Sequence, residues 1–275
     1  MMLAVPRCQL AKVLIMSLAA ASFAFAPATY AGNSCEETVS SAGTMQKALE
    51  LARRVTDRLE ESGSQVALVA RIGQDLSKYN LRFSHLGFVV RNHPDGRWSV
   101  VHDLNLCGTD ISQLYVQGIG NFFSDDLHDY EAAVMLLPPD VQKKLEATLL
   151  SGVQIKRMHE PKYSVVAYPF NTRYQNSNQW ALEVLASVMA PEGDVATRAE
   201  AQKWLKDAGF EPTMLTIPAM TRLGGRMFKA NVAFNDHPDE FRWSDRIFVV
   251  TVDSTFDFLR KRYPSDTRRL LIGLE

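Results

Sequence analysis

Two short segments carry side chains of the kinds that break amide or ester bonds. In Ser84-His85-Leu86-Gly87-Phe88-Val89-Val90 an imidazole stands two residues before a glycine in a strand-like run, and His102 lies near the end of the next such run. In Tyr174-Gln175-Asn176-Ser177-Asn178-Gln179-Trp180 a hydroxyl sits at what reads as a helix start. Covalent hydrolysis or acyl transfer needs a nucleophile, a base beside it and a third group that holds the base. A helix N-terminus suits the nucleophile, because its free N–H groups and partial positive charge stabilise a developing oxyanion. On this reading His85 is the candidate base, His102 its orienting partner and Ser177 the nucleophile. Asn176, Asn178 and Gly87 are the candidate substrate contacts, the glycine leaving its strand face open. Each has a plainer role as well: Asn176 and Ser177 fit a simple helix cap, and a strand histidine is commonly a packing residue. A one-residue slip of the strand register would put Asp103 in the place of His102. Asn235-Asp236-His237-Pro238 reads as a turn, and His85, His102 and His237 have no zinc-ligand spacing, so neither a metal nor a cofactor is expected.

The elements that must position these groups follow from periodicity. Met45, Ala48, Leu49, Ala52, Val55 and Leu59 recur at helical spacing over Thr44 to Glu61, and Gly63 closes that helix. Gln65 to Ile72 reads as a strand. Ser84 to Val90 and Arg97 to Asp103 read as a β-hairpin, turned at His93-Pro94-Asp95-Gly96. Asn105 to about Tyr130 is glycine-bearing and reads as loop; Pro139 opens a helix to Ser151, and Tyr163 to Tyr168 reads as a strand. Asn176 with Gln179 begins a helix, and Thr197 with Glu200 begins another that ends at Gly209. Phe210 to Ile217, Arg226 to Phe234 and Arg246 to Val252 read as strands, with a last helix from Ser254 to Arg262. Strands in groups with helices between them predict one α+β domain, an antiparallel sheet packed by helices. Tyr79, Trp98, Tyr115, Phe122, Phe123 and Trp180 are core candidates, or the lining of a groove beside His85.

The order of the Ser-His-x-Gly strand, the Val101-His102 strand end and the Asn-x-x-x-aromatic helix start resembles the circularly permuted papain-like proteins. These include NlpC-type cell-wall peptidases and lecithin retinol acyltransferase relatives. The mature chain as a whole is similar to an uncharacterised bacterial family, domain of unknown function number 2145. That similarity is carried by Arg71 to Leu76, Ser84 to Phe88, Tyr174 to Trp180 and Asn235 to Pro238. The papain-like resemblance implies His85 as base, His102 behind it and Ser177 in the nucleophile position. Active members carry cysteine there, and a serine hydroxyl has no useful ionised fraction near neutral pH. Two functions follow as expectations: a hydrolase or acyltransferase acting on an amide or ester of the cell envelope, or a non-catalytic domain that keeps the cleft and binds an envelope peptide, glycan or acyl group.

The first residues place the protein. Arg7 and Lys12 precede an uncharged apolar stretch from Val13 to Ala28, and Thr29-Tyr30-Ala31 fits a signal-peptidase site, so residues 1–31 are expected to be cleaved. The apolar run is short of the roughly 20 residues of a membrane span. A mature chain of residues 32–275, one globular domain, is then periplasmic or secreted. Of three cysteines, Cys8 leaves with the leader, and Cys35 and Cys107 remain as an expected disulfide in an oxidising compartment. Cleavage leaves 28 basic against 31 acidic side chains, a formal charge of −3. That balance gives no electrostatic footprint for nucleic acid, and no later stretch is apolar enough for a transmembrane segment.

Overall fold

The computed structural model describes residues 40–274 apart from 126, 219–220, 223, 225–228 and 243. The expected leader and Cys35 lie outside the described residues. Six strands, β1 (Val66–Ile72), β2 (His85–His93), β3 (Gly96–Asn105), β4 (Ser112–Gly118), β5 (Asp129–Leu136) and β8 (Arg268–Gly273), pair antiparallel in the order β4-β3-β2-β1-β5-β8. Successive side chains of a strand point to opposite faces, and both faces here are covered. On one side lie α1 (Ala42–Ser62) and the short α2 (Ile119–Ser124). Leu51, Val55 and Leu59 of α1 share one helix stripe and pack with Ala67, Val69, Val89, Val100, Phe122 and Phe123. Ser41 caps this helix by accepting from the Thr44 N–H, and Gly63 ends it at φ 70°, which a glycine adopts without steric cost.

The opposite face carries α3 (Pro139–Ser151), α4 (Val153–Arg157), α5 (Ser177–Met189), α6 (Arg198–Asp207) and α8 (Val252–Arg262). Leu68, Ala70, Leu86, Phe88, Val101 and Met135 meet the inner sides of these helices. Trp180 is fully buried there, edge-on to Phe88 at 5.6 Å, and its indole N–H donates to the Ile155 carbonyl. Burying a side chain of that size is worth about 3 kcal/mol. A separate antiparallel pair, β6 (Thr213–Thr216) with β7 (Arg246–Val249), the short α7 (Asp239–Arg242) and a 3-10 turn at Ser77–Tyr79 are also present. The architecture is the expected α+β one.

Several elements differ from the sequence reading. The stretch expected as loop contains β4 and α2; β4 reads weakly because it is an edge strand with Gln113, Val116 and Gly118 exposed. β5 and β8 were not expected. The apolar part of β5, Ala132 to Leu136, is too short to show a period, and β8 begins with Arg268 and Arg269, charges that an edge strand tolerates. Tyr163 to Tyr168 is no strand: Tyr163 makes one bridge to Gln175, and the Ala167 N–H turns back to the Ser164 carbonyl at 2.9 Å. The strand expected over Phe210 to Ile217 shortens to β6. That over Arg246 to Val252 shortens to β7, because Thr251 caps α8 and Ser254 serves at its third position rather than as the cap. The described part of Arg226 to Phe234 carries no strand.

Candidate functional site

The hairpin register decides which polar groups can meet. β2 and β3 pair Phe88 with Val101 and Val90 with Ser99, and the turn closes at His93 opposite Gly96. His85, Gly87 and Val89 therefore share a face with Val100 and His102, under α1 and α2, whereas Leu86, Phe88, Val101 and Asp103 face α5. His85 and His102 come together as expected: Nε2 of His85 lies 2.8 Å from Nδ1 of His102. Both rings pack on Phe122, at 5.9 and 5.3 Å between centroids. Arg71, the cross-strand neighbour of His85, completes the group: its guanidinium bonds the Phe122 carbonyl, reaches Asp125 at 2.5 Å and stands 4.8 Å from the Phe122 ring. Burial drives the His85 pKa well below its ordinary value, with the Arg71 charge adding to it. His102 is pushed down to about 3 for the same two reasons. At neutral pH both rings are uncharged and share one N–H between their facing nitrogens.

Gly87 does not open this face to a substrate. A Cβ there would stand 2.6 Å from Val100 Cγ1 and 3.2 Å from His102 Cβ, so the glycine permits close packing of the hairpin.

Ser177 is the first residue of α5, as expected, but α5 packs on the other face of the sheet. The structure does not bring Ser177 to His85: the two side chains belong to opposite faces, with the β2–β3 ladder between them. Ser177 is buried, and its hydroxyl and backbone N–H lie beside the Tyr163 phenol. Burial pushes the Tyr163 pKa up to about 12, against the pull of the Ser177 groups, so the phenol keeps its proton and is no base for Ser177. Asn176 is the helix cap, accepting from the Gln179 N–H at 2.8 Å, and its amide points at the Val250 carbonyl at 3.4 Å. Asn178 ties α5 to the approach of β2, donating to the Ser84 carbonyl at 3.3 Å. Asn176 is engaged with the protein itself, while Asn178 uses its amide N–H and leaves its buried Oδ1 without a hydrogen-bond partner.

The comparisons with known proteins bear on this arrangement. A family model described as an uncharacterized protein conserved in bacteria, DUF2145, matches residues 58–259. The chain belongs to that family. No curated protein and no solved structure matches. The matched span runs from the last turn of α1 into α8 and holds both polar groups on the two sheet faces.

Around the start of α5 the structure assembles a second polar group, with Asp103, which the sequence reading offered only as an alternative, and His159, Ser112 and Gln175, which it did not single out. Asp103, the register alternative to His102, is fully buried on the α5 face, 3.2 Å from His159 Nε2, which itself lies 3.1 Å from Ser112 Oγ. Neither carboxylate oxygen accepts a well-aligned hydrogen bond, and burial raises the Asp103 pKa against the pull of His159 and Ser112. Ser112 and Asp103 meet the same ring nitrogen, so they do not form the relay in which serine and aspartate sit on opposite sides of a histidine. Gln175, one residue before the cap, accepts from the Glu160 N–H and donates to the Met158 carbonyl and to Glu183. His237 is held by Asp236 at 3.0 Å and the Phe248 carbonyl at 3.2 Å. Among the described residues no three His, Cys, Asp or Glu side chains could hold a metal ion. The one early sign of the Arg71 group was an arginine inside the otherwise apolar run Val66-Ala67-Leu68-Val69-Ala70-Arg71-Ile72.

Proposed function

We propose that this protein is exported after removal of residues 1–31, that Cys35 and Cys107 close a disulfide, and that the domain binds a cell-envelope peptide, glycan or acyl group without cleaving it. The binding reading rests on the separation of Ser177 from His85 by the sheet, with Ser177 lying beside Tyr163 and His85 bonded to His102. An acyl-transfer site needs nucleophile and base within about 3 Å, or one water apart. The papain-like resemblance enters here as a likeness of strand and helix order whose chemistry has been lost. Among the described residues no helix is long and apolar enough to cross a membrane, which is compatible with an exported chain. The test has two arms. Mature wild type, Ser177→Cys and Ser177→Ala are assayed with an activated acyl ester, and wild type is sedimented with purified cell-wall sacculi and with acylated vesicles. The expected result is no ester turnover by any of the three and co-sedimentation with one of the two surfaces. Turnover by Ser177→Cys that vanishes on His85→Ala restores the hydrolase or acyltransferase reading; failure to sediment with either surface ends the binding one.

A further inference from the structure

α2 is six residues long and has no side-chain cap, far too short to hold its shape alone. It is fastened to the sheet by Phe122 and Phe123, which are fully buried, and by Arg71, which bonds the Phe122 carbonyl and the Asp125 carboxylate just past the helix end. The two imidazoles beneath Phe122 hold each other through their single shared N–H. We propose that Arg71, His85, His102 and Asp125 form an acid-released latch, which keeps α2 on the sheet at neutral pH and lets residues 119–125 open when either imidazole takes a proton. The inference is independent of which ligand the domain binds.

The geometry gives the reason. A proton added to the pair goes to the outer nitrogen of the ring that donates the shared N–H, so the 2.8 Å contact keeps its bond, but the new charge is held among buried apolar side chains with no water to solvate it. It also places a cation beside Arg71, whose guanidinium is itself almost wholly buried. The other groups facing the pair offer little relief. β4 contributes the Tyr115 ring, 6.4 Å from His102, and the Gln117 amide. β5 contributes Ala132 and Val134, and the buried residues of α1 are all apolar: Ala48, Leu51, Ala52, Val55 and Leu59. Among the described residues Asp125 is the one carboxylate acting on His102; its side chain is 50% exposed and committed to Arg71. His85 and His102 are fixed in β2 and β3, each with a strand on both sides, so the piece free to yield is α2. Opening lifts Phe122 from both rings and admits water to them. An imidazole at about 3 in the closed state and at about 6.5 once hydrated favours opening by about 30-fold at pH 5.

Pulse-labelling hydrogen exchange with peptide-level mass spectrometry reads this directly. Intrinsic exchange rates are corrected for pH, and the peptide spanning residues 119–125 is compared with β1 at pH 7.5 and pH 5. The expected result is about a 30-fold loss of protection in the α2 peptide while β1 stays protected. His85→Gln with His102→Gln removes both titrating rings and is expected to abolish the pH dependence. Should that double variant not fold, Asp125→Asn changes a half-exposed residue and is expected to move the opening to higher pH. Unchanged α2 protection in the wild type, loss of β1 in parallel, pH dependence surviving without the histidines, or an unshifted Asp125→Asn would each overturn the latch.

Discussion

Replacing Glu183 by glutamine tests the packing that sets the start of α5. Glu183 is fully buried, and its carboxylate receives five donors: Gln175 Nε2 at 2.5 Å, Arg198 Nε at 2.7 Å and Nη2 at 3.3 Å, Gln202 Nε2 at 2.7 Å and Gln179 Nε2 at 3.1 Å. The same partners hold the chain before Ser177, since Arg198 also donates to the Thr172 and Tyr174 carbonyls and Gln202 to that of Asn171. Burial raises the Glu183 pKa even against Arg198, so the charge pair is not itself a net source of stability. The loss comes from what the substitution leaves behind: a buried guanidinium without a counter-charge, and an amide NH2 turned toward other donors. Breaking one side of a buried pair costs about 3–5 kcal/mol, which for a chain of this size lowers Tm by about 6–20 °C. Urea unfolding followed by tryptophan fluorescence measures it. Arg198→Met is expected to cost less than Glu183→Gln, and the double variant less than the sum of the two. A loss under about 1 kcal/mol, or strict additivity with Arg198→Met, would refute the account.

Gly87→Ala should overpack the hairpin against Val100 and His102 and cost about 1–3 kcal/mol in the same assay; a neutral result would mean that β3 gives way freely. Asp103→Asn removes a buried carboxyl whose folded pKa is raised, a group whose favourable contribution is complete below its unfolded pKa and is lost as pH rises through the folded one. The variant should therefore gain on the wild type as pH rises above the ordinary carboxyl pKa of about 4, and a stability difference flat with pH contradicts the burial argument. On the proposed export, N-terminal sequencing should begin near Gly32 and thiol titration after denaturation should find no free cysteine. Two reactive thiols would remove the Cys35 to Cys107 bond and the roughly 4 kcal/mol it is expected to contribute.

Much of the fold was legible because burial imposes a period. The α1 stripe, the Gly63 stop, the two-residue hairpin turn and the Thr197 to Glu200 capping box all stand in the sequence and in the structure alike. β5 and β8 were not legible for opposite reasons, one being a short apolar run without a period and the other an edge strand headed by two arginines. Among the site residues, the pairing of His85 with His102 was one of two registers the sequence left open, and the closure of the turn at His93 opposite Gly96 selects it over Asp103. The side of the sheet that α5 occupies could not be read. It depends on which stripe of the helix is apolar relative to the alternation of β2, and α5 is buried nearly all round, from Trp180 to Met189, so it shows no preferred face.

That single ambiguity separates the two functional readings. Had α5 packed beside α1, Ser177 would face the histidines. Packed against Leu86, Phe88 and Val101, it meets Tyr163, with Asp103 and His159 on the same face. The apolar side chains decide the matter. Phe88 and Trp180 stack edge to face in a core that reaches from Leu68 to Phe256, whereas the α1 face is already filled by Trp98, Phe122 and Phe123. Moving α5 across the sheet would strand Trp180 in water and leave Phe88 without its cover, a loss of several kcal/mol for each aromatic ring. A serine–histidine contact brings about 1 kcal/mol in return. The apolar pattern of β2 therefore determines which polar groups can meet, and it sets Ser177 apart from His85.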